Sequence, residues 1–243
     1  MNNLSKRVLS GLALFSLLTF IIYGASAIDS EIGAYAIALI TLVIYWEFYQ
    51  FFKKKVIGLV FLLSPILGII LLLNYPPNII TYLIIISCLT WALMSIHIII
   101  FDNPKINSIE LFILGNLLIF PAFISAQFIF LNWSPSILLL ILFGVSIADT
   151  SAYFVGKKFG KTQLLANTSP GKTLEGLIGA CIITPVFLAL IALFLDYQFI
   201  GFFIFGLILT PISFIGDIVF SYVKRSRNKK DSSNLIPGHG GFI

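Results

Sequence analysis

Eight apolar runs, each about long enough to cross a bilayer and set apart by short polar breaks, leave this chain little choice of fold. They cover residues 8–28, 31–52, 56–74, 78–101, 108–131, 135–156, 176–195 and 199–223. Inside lipid every backbone polar group must be satisfied within the segment, and runs of this length do so only as helices. The expected fold is therefore all-α: a polytopic helical membrane bundle of about eight spans forming a single domain, 1–243. The breaks carry turn chemistry. Asn74-Tyr-Pro-Pro-Asn78, Asp102-Asn-Pro104 and Asn132-Trp-Ser-Pro135 are Pro/Asn clusters that do not continue a helix. Pro65, Pro121, Pro185 and Pro211 fall inside runs instead, where neighbouring helices re-satisfy the freed carbonyls.

Charge tests the span count. With the N-terminus in the cytoplasm, the inside segments hold Lys6 and Arg7, then Lys53 to Lys55, then Lys105, then Lys157, Lys158, Lys161 and Lys172, and last Lys224, Arg225, Arg227, Lys229 and Lys230. Together these are all 15 basic residues, so the external loops hold none and the positive-inside rule is met throughout. One span more or fewer would destroy the pattern. A charged share of 10% against 59% hydrophobic excludes a soluble domain. The net charge of +5 lies in short clusters between apolar runs, which argues for a membrane surface and no nucleic acid. Cys88 and Cys181 both sit in apolar runs, so no disulfide framework or cysteine metal site is encoded. Ala25-Ser26-Ala27 behind a basic start would also suit a cleaved signal peptide, but the long core and the spans that follow favour a retained helix, and cleavage would leave the later topology unchanged.

Apart from Glu31 and Glu110, which stand at the very start of their runs, three acids lie inside runs: Glu47, Asp149 and Asp217. At 1.5 Å per residue they precede Lys53, Lys157 and Lys224 by about 9, 12 and 10 Å, so they share one depth just below the cytoplasmic surface. Intramembrane carboxylates are costly, and a functional role or a water-filled pocket is the first expectation. Hard Mg²⁺ held between protein oxygens and phosphate would suit such a cavity. The alternative, strongest for Glu47, is a packing role in which the acid bonds Ser, Thr, Asn or Trp of a neighbour. His97 and Asn116 read as residues that bond a neighbouring helix. Gly171-Lys172-Thr173 and Gly160-Lys161-Thr162 invite a P-loop reading that fails, because Ala166 and Val155 stand where the pattern needs glycine and no strand is expected before either.

Two cytoplasmic stretches, within 149–176 and 216–242, carry the remaining chemistry. The first runs from Asp149 through Tyr153, Gly156, Lys157 and Gly160-Lys161 to Ser169-Pro170-Gly171-Lys172-Thr173-Leu174-Glu175-Gly176. Its Ser-Pro turn, Lys-Thr pair and helix start offer amides, a hydroxyl and an ammonium to phosphate oxygens. The second has the order Gly216-Asp217, Ser221-x-x-Lys224-Arg225-x(4)-Lys230-Asp231-x(5)-Pro237-x-His239-Gly240-Gly241-Phe242. Glycines there let backbone amides approach a ligand, and one imidazole stands ready to exchange a proton.

In this order and spacing the second stretch resembles the C-terminal signature of the phosphatidate cytidylyltransferases, and the first resembles that family's cytoplasmic loop. Gly171 is a departure, since the family usually shows Ser-Pro-Lys-Lys-Thr. Over the first five runs the likeness extends only to hydropathy and to Glu47 after Trp46. The resemblance implies an integral membrane enzyme, in the cell membrane with its site facing the cytoplasm. It would join CTP to phosphatidic acid, giving CDP-diacylglycerol and pyrophosphate. Asp217 would be a metal ligand, with Asp149 completing the metal site. Lys172, Lys224, Arg225 and Lys230 would clamp phosphates, and Asp231 and His239 would orient them. Ser169, Thr173, Ser221, Gly240, Gly241 and Lys161 would line the substrates. The implied cofactor is Mg²⁺, with a second cation and a homodimer left open. In the family the signature continues into Asp-Arg-x-Asp. A further acid and a ninth span are therefore expected beyond Ile243, and residues 1–243 alone are expected to turn over little. A CTP-dependent prenol kinase and a small-solute transporter are the competing functions. Acids near one surface and the lack of internal symmetry argue against transport.

Overall fold

In the computed structural model the described residues are 16–17, 19–21, 23–24, 30–74, 78–233, 235 and 241. Most of the first expected span lies outside them, as do residues 75–77, Pro237, His239, Gly240 and Phe242. Seven long helices follow in order. They are α1 (Ser30–Tyr49), α2 (Lys55–Asn74), α3 (Asn78–Phe101), α4 (Ser108–Asn132), α5 (Pro135–Phe159), α6 (Leu174–Phe194) and α7 (Phe199–Ser226). Six, α1 and α3 to α7, are long and apolar enough to cross a membrane, whereas α2 carries a shorter apolar stretch, Lys55–Ile66. The chain is thus an all-α polytopic integral membrane protein. Each of these helices matches an expected run to within a few residues.

The loop expected between the sixth and seventh spans folds further than anticipated. Two short antiparallel strands, β1 (Gln163–Leu165) and β2 (Ser169–Thr173), form a hairpin inside it, pairing Leu165 with Ser169 and Gln163 with Thr173. Strand β2 runs straight into α6, whose N-cap is Thr173: its Oγ1 accepts from the Gly176 amide at 3.2 Å. Gly171-Lys172-Thr173 therefore lies within a strand, which corrects the expectation that no strand is near, although the Walker spacing is still absent.

By its contacts the chain divides into two compact units. The first comprises 1–93, 105–135 and 223–243, the second 94–104 and 136–222.

In the first unit α4 packs on α1 and α2, which also pack on each other. Their seam is aromatic: Tyr45 and Phe48 on α1 meet Phe61 on α2 at ring centroid distances of 4.9 and 5.3 Å. Gly115 admits this cluster to α4, since a methyl there would strike the rings of Phe48 and Phe61. Lipid tails are as apolar as these side chains, so close packing and interhelical hydrogen bonds, more than burial, hold such a seam. Asn116 Oδ1 accepts from Ser64 Oγ of α2 at 2.5 Å and from Tyr45 OH of α1 at 3.4 Å. Gln127 Nε2 donates to the Ala34 carbonyl at 2.7 Å, and Ser87 Oγ to that of Leu117 at 2.5 Å. Asn116 is thus a helix-bonding residue, as expected. At its start α4 has a full capping box. Asn107 Oδ1 accepts from the amides of Ile109 and Glu110, and Glu110 returns an acceptor to the Asn107 amide.

In the second unit α5, α6 and α7 touch at small residues. A Cβ on Gly176 of α6 would meet the Ala152 carbonyl of α5 at 2.7 Å, and one on Gly206 of α7 would meet Pro185 Cα of α6 at 2.6 Å. Small residues at these crossings let the backbones approach closely. His97 contacts the rings of Phe101 and Tyr222, and Tyr222 OH donates to the Asn103 carbonyl at 2.8 Å.

Candidate cation and phosphate site

The polar centre of the second unit is built from three elements. Helix α5 brings Asp149 and α7 brings Asp217, each followed by a basic end to its helix. Strand β2 brings Lys172, whose Nζ lies 2.5 Å from Asp217 Oδ2 and 3.9 Å from Asp149 Oδ1. The ammonium also sits 4.7 Å from the centroid of the Phe214 ring, one turn before Asp217 on α7. Lysine 172 is largely enclosed, its side chain 16% exposed, whereas the two carboxylates are 48% and 39% exposed. The acids are thus partly exposed, while the lysine that joins them is largely enclosed.

The hairpin that carries Lys172 is fastened at both ends. At its tip Asp102 accepts from the amides of Asn167 at 2.8 Å and Thr168 at 2.9 Å, and the Asp102 carbonyl accepts from Asn167 Nδ2 at 3.1 Å. Asp102 holds φ 36°, a left-handed conformation that aspartate tolerates better than most residues. At its base Glu175 accepts from the amides of Lys161 and Thr162 and, at 2.9 Å, from Thr162 Oγ1. The Leu174 amide donates to the Thr162 carbonyl at 3.0 Å. Lys172 therefore projects from a braced strand.

Of the other residues expected at the site, Ser169 opens β2 and is half-buried, and Ser221 lies one turn beyond Asp217 on α7. Thr173 Oγ1 caps α6, and the Lys161 side chain is exposed. In the first unit Lys224 and Arg225 occupy the last turn of α7 and are half-buried, Arg225 Nη1 lying 3.5 Å from the Lys229 carbonyl. Lys230 and Asp231 are exposed. Lys229, given no role beforehand, donates from Nζ to the Gln50 carbonyl at 3.0 Å and lies over the Phe51 ring. Gly241 lies against Glu47 and Ser232. His239 and Gly240 are outside the described residues. The structure brings Asp149, Asp217 and Lys172 together. It adds Phe214, Asp102 and Glu175 as their supports.

Whether this centre suits a divalent cation turns on its donors. Two partly exposed carboxylates converge on one positive charge, that of Lys172. Mg²⁺ is bound by such sets, through one or two carboxylates with substrate phosphates and waters completing the octahedron. The residues fit such a cation: Asp149 and Asp217 would hold it, and Lys172 beside them would offer its charge to phosphate. Among the described residues no group of three or more His, Cys, Asp or Glu forms a closed metal cage, so phosphate oxygens would have to contribute.

The profile of the Cytidylyltransferase family matches residues 5–243. The chain belongs to that family. Among its relatives is the phosphatidate cytidylyltransferase of Aquifex aeolicus, 40% identical over 105 residues, which cover 43% of this chain and 39% of that protein. The phosphatidate cytidylyltransferase of Haemophilus influenzae is 42% identical over 114 residues, covering 44% and 39%, and that of Bacillus subtilis 40% over 97 residues, covering 39% and 36%. The matched stretch thus spans under two-fifths of each relative's length.

Proposed function

We propose that the protein is a phosphatidate cytidylyltransferase of the cell membrane, working on CTP and phosphatidic acid at its cytoplasmic face with Mg²⁺. The observation that carries the reading is the Lys172 ammonium held on Asp217 and Asp149, in a chain of the Cytidylyltransferase family, several of whose relatives bear that activity in their names. In the reaction a phosphate oxygen of phosphatidic acid bonds to the α-phosphorus of CTP. The bond from that phosphorus to the bridging oxygen breaks, and pyrophosphate leaves with the electron pair. The attacking monoester is already anionic near neutral pH, so no side chain has to remove a proton. Two anionic substrates must instead be brought together and held in line, which makes charge neutralisation and positioning the main work.

Asp149 and Asp217 would hold the cation, which when bound offsets charge on the triphosphate. Lys172, released from the acids, would turn to a phosphate oxygen while staying on its braced strand. On the family resemblance, Lys224, Arg225 and Lys230 would be further phosphate clamps and Lys161 would line the substrates. Asp231 and His239 would orient them, and Ser169, Ser221, Gly240 and Gly241 would line the substrates. Thr173, which caps α6 directly after Lys172, would line the substrates beside it. The test is the fate of label in CTP: with the full-length protein, phosphatidic acid and Mg²⁺, the α-phosphate should enter lipid and the γ-phosphate should leave in pyrophosphate.

A further inference from the structure

Glu47 is fully buried on α1, yet it takes no part in the chemistry above. Its carboxylate accepts from Ser232 Oγ at 3.1 Å and from Ser233 Oγ at 2.5 Å, both on the segment that follows α7 and both within the first unit. Ser232 is itself buried, 2% exposed. A third contact closes the arrangement: a methyl group built on Gly241 would run into Ser232 Oγ and both carboxylate oxygens of Glu47. Lys229, three residues before Ser232, is tied back to Gln50, three residues after Glu47. Two points of one segment are thus fastened to the end of α1 and its following turn, and a third rests on the same carboxylate.

We propose that Glu47 is a positioning residue that anchors the C-terminal segment, so that Lys230 and Asp231, which lie between its fastenings at Lys229 and Ser232, are held ready for the nucleotide. A buried carboxylate is expensive unless hydrogen bonds satisfy it, and here the segment supplies them. The cost of burying Glu47 therefore returns as fixation of the segment. Glycine at 241 follows from the same geometry, since no side chain fits between its backbone and the carboxylate.

The first half stands on the contacts alone; the second rests on the proposed reaction. Hydrogen exchange of residues 229–233 in the intact protein, reconstituted in lipid, tests the anchor without any turnover. Glu47→Ala, Gly241→Ala and the double variant Ser232→Ala/Ser233→Ala should each speed exchange there by about tenfold or more, since each disrupts hydrogen bonds that satisfy a buried polar group. The serine pair guards against a Glu47 variant that fails to fold. Unchanged exchange in a folded serine double variant overturns the anchor. For the positioning role, loosening lowers the fraction of protein competent to bind, so in Glu47→Ala and the serine double variant the KM for CTP should rise by about the factor by which exchange speeds, with kcat recovered at high CTP. A merely structural role would lower the active fraction and kcat at constant KM. Faster exchange with KM unchanged would overturn the positioning role. If the native protein transfers no cytidylyl group, the proposed reaction fails, and exchange still decides the anchor.

Discussion

At the scale of single residues, the point of greatest consequence is one ammonium between two carboxylates. Asp149 and Asp217 stood out in the sequence because acids inside apolar runs are rare and costly. That Lys172 would join them was not legible. It is 23 residues from one acid and 45 from the other, and its Ser-Pro-Gly-Lys-Thr setting suggested only a phosphate ligand. The pairing arises from the strand register, which no local pattern encodes. Glu47 was legible as an acid with either a functional or a packing role, and its contacts with Ser232 and Ser233 are of the second kind. Lys172→Met would leave Asp149 and Asp217 without their shared cation and remove a phosphate ligand. Removing one preorganised charge from a phosphoryl-transfer site costs on the order of 10²-fold or more in rate. Initial rates at saturating substrates should show that loss with the helical signal intact. Activity within about threefold of the native protein, a loss well short of that expected, would remove Lys172 from the site.

At the scale of elements, helix positions were set by apolar length and by the Pro/Asn breaks, and these survived in the structure to within a few residues. The hairpin did not announce itself, because its strands are three and five residues long and the second contains both Pro170 and Gly171, which strands disfavour. Tertiary contacts stabilise it instead. Asp102 stood in the sequence as part of a helix-breaking Asp-Asn-Pro cluster, and its second role, accepting from Asn167 and Thr168 across 65 residues, has no local signature. Asp102→Ala removes both of those acceptors. With hydrogen bonds to a charged group worth about 1.5–3 kcal/mol and Asp102 partly in solvent, a cost of about 1–2 kcal/mol to hairpin closure is expected. Limited proteolysis should then cut within 163–168 several-fold faster, while the spans stay resistant. Equal cutting rates would show that the strand pairing, unaided, holds the hairpin.

For the whole molecule, the sequence spoke most clearly. The segregation of all 15 Lys and Arg into alternate breaks pointed to a membrane protein before any contact was known, and leads to the expectation that these breaks face the cytoplasm. Single cysteines at Lys54, Lys161 and Lys230, all exposed, should label only from the cytoplasmic side once Cys88 and Cys181 are replaced, and one at exposed Asn132 only from outside. Labelling of position 161 from outside would reverse the orientation of the site. The apolar runs said nothing of how the chain divides into two compact units, because that division follows contacts between distant segments rather than any shift in composition.

The central claim is that this membrane protein transfers a cytidylyl group onto a lipid phosphate, with Asp149, Asp217 and Lys172 at the point of transfer. It is tested most directly by supplying CTP labelled at either the α- or the γ-phosphate to the reconstituted full-length protein with phosphatidic acid and Mg²⁺. The account predicts α-label in the lipid and γ-label in pyrophosphate, with lipid labelling abolished by Asp217→Asn. Label entering a lipid alcohol from the γ-phosphate, or full α-transfer by Asp217→Asn, would contradict it.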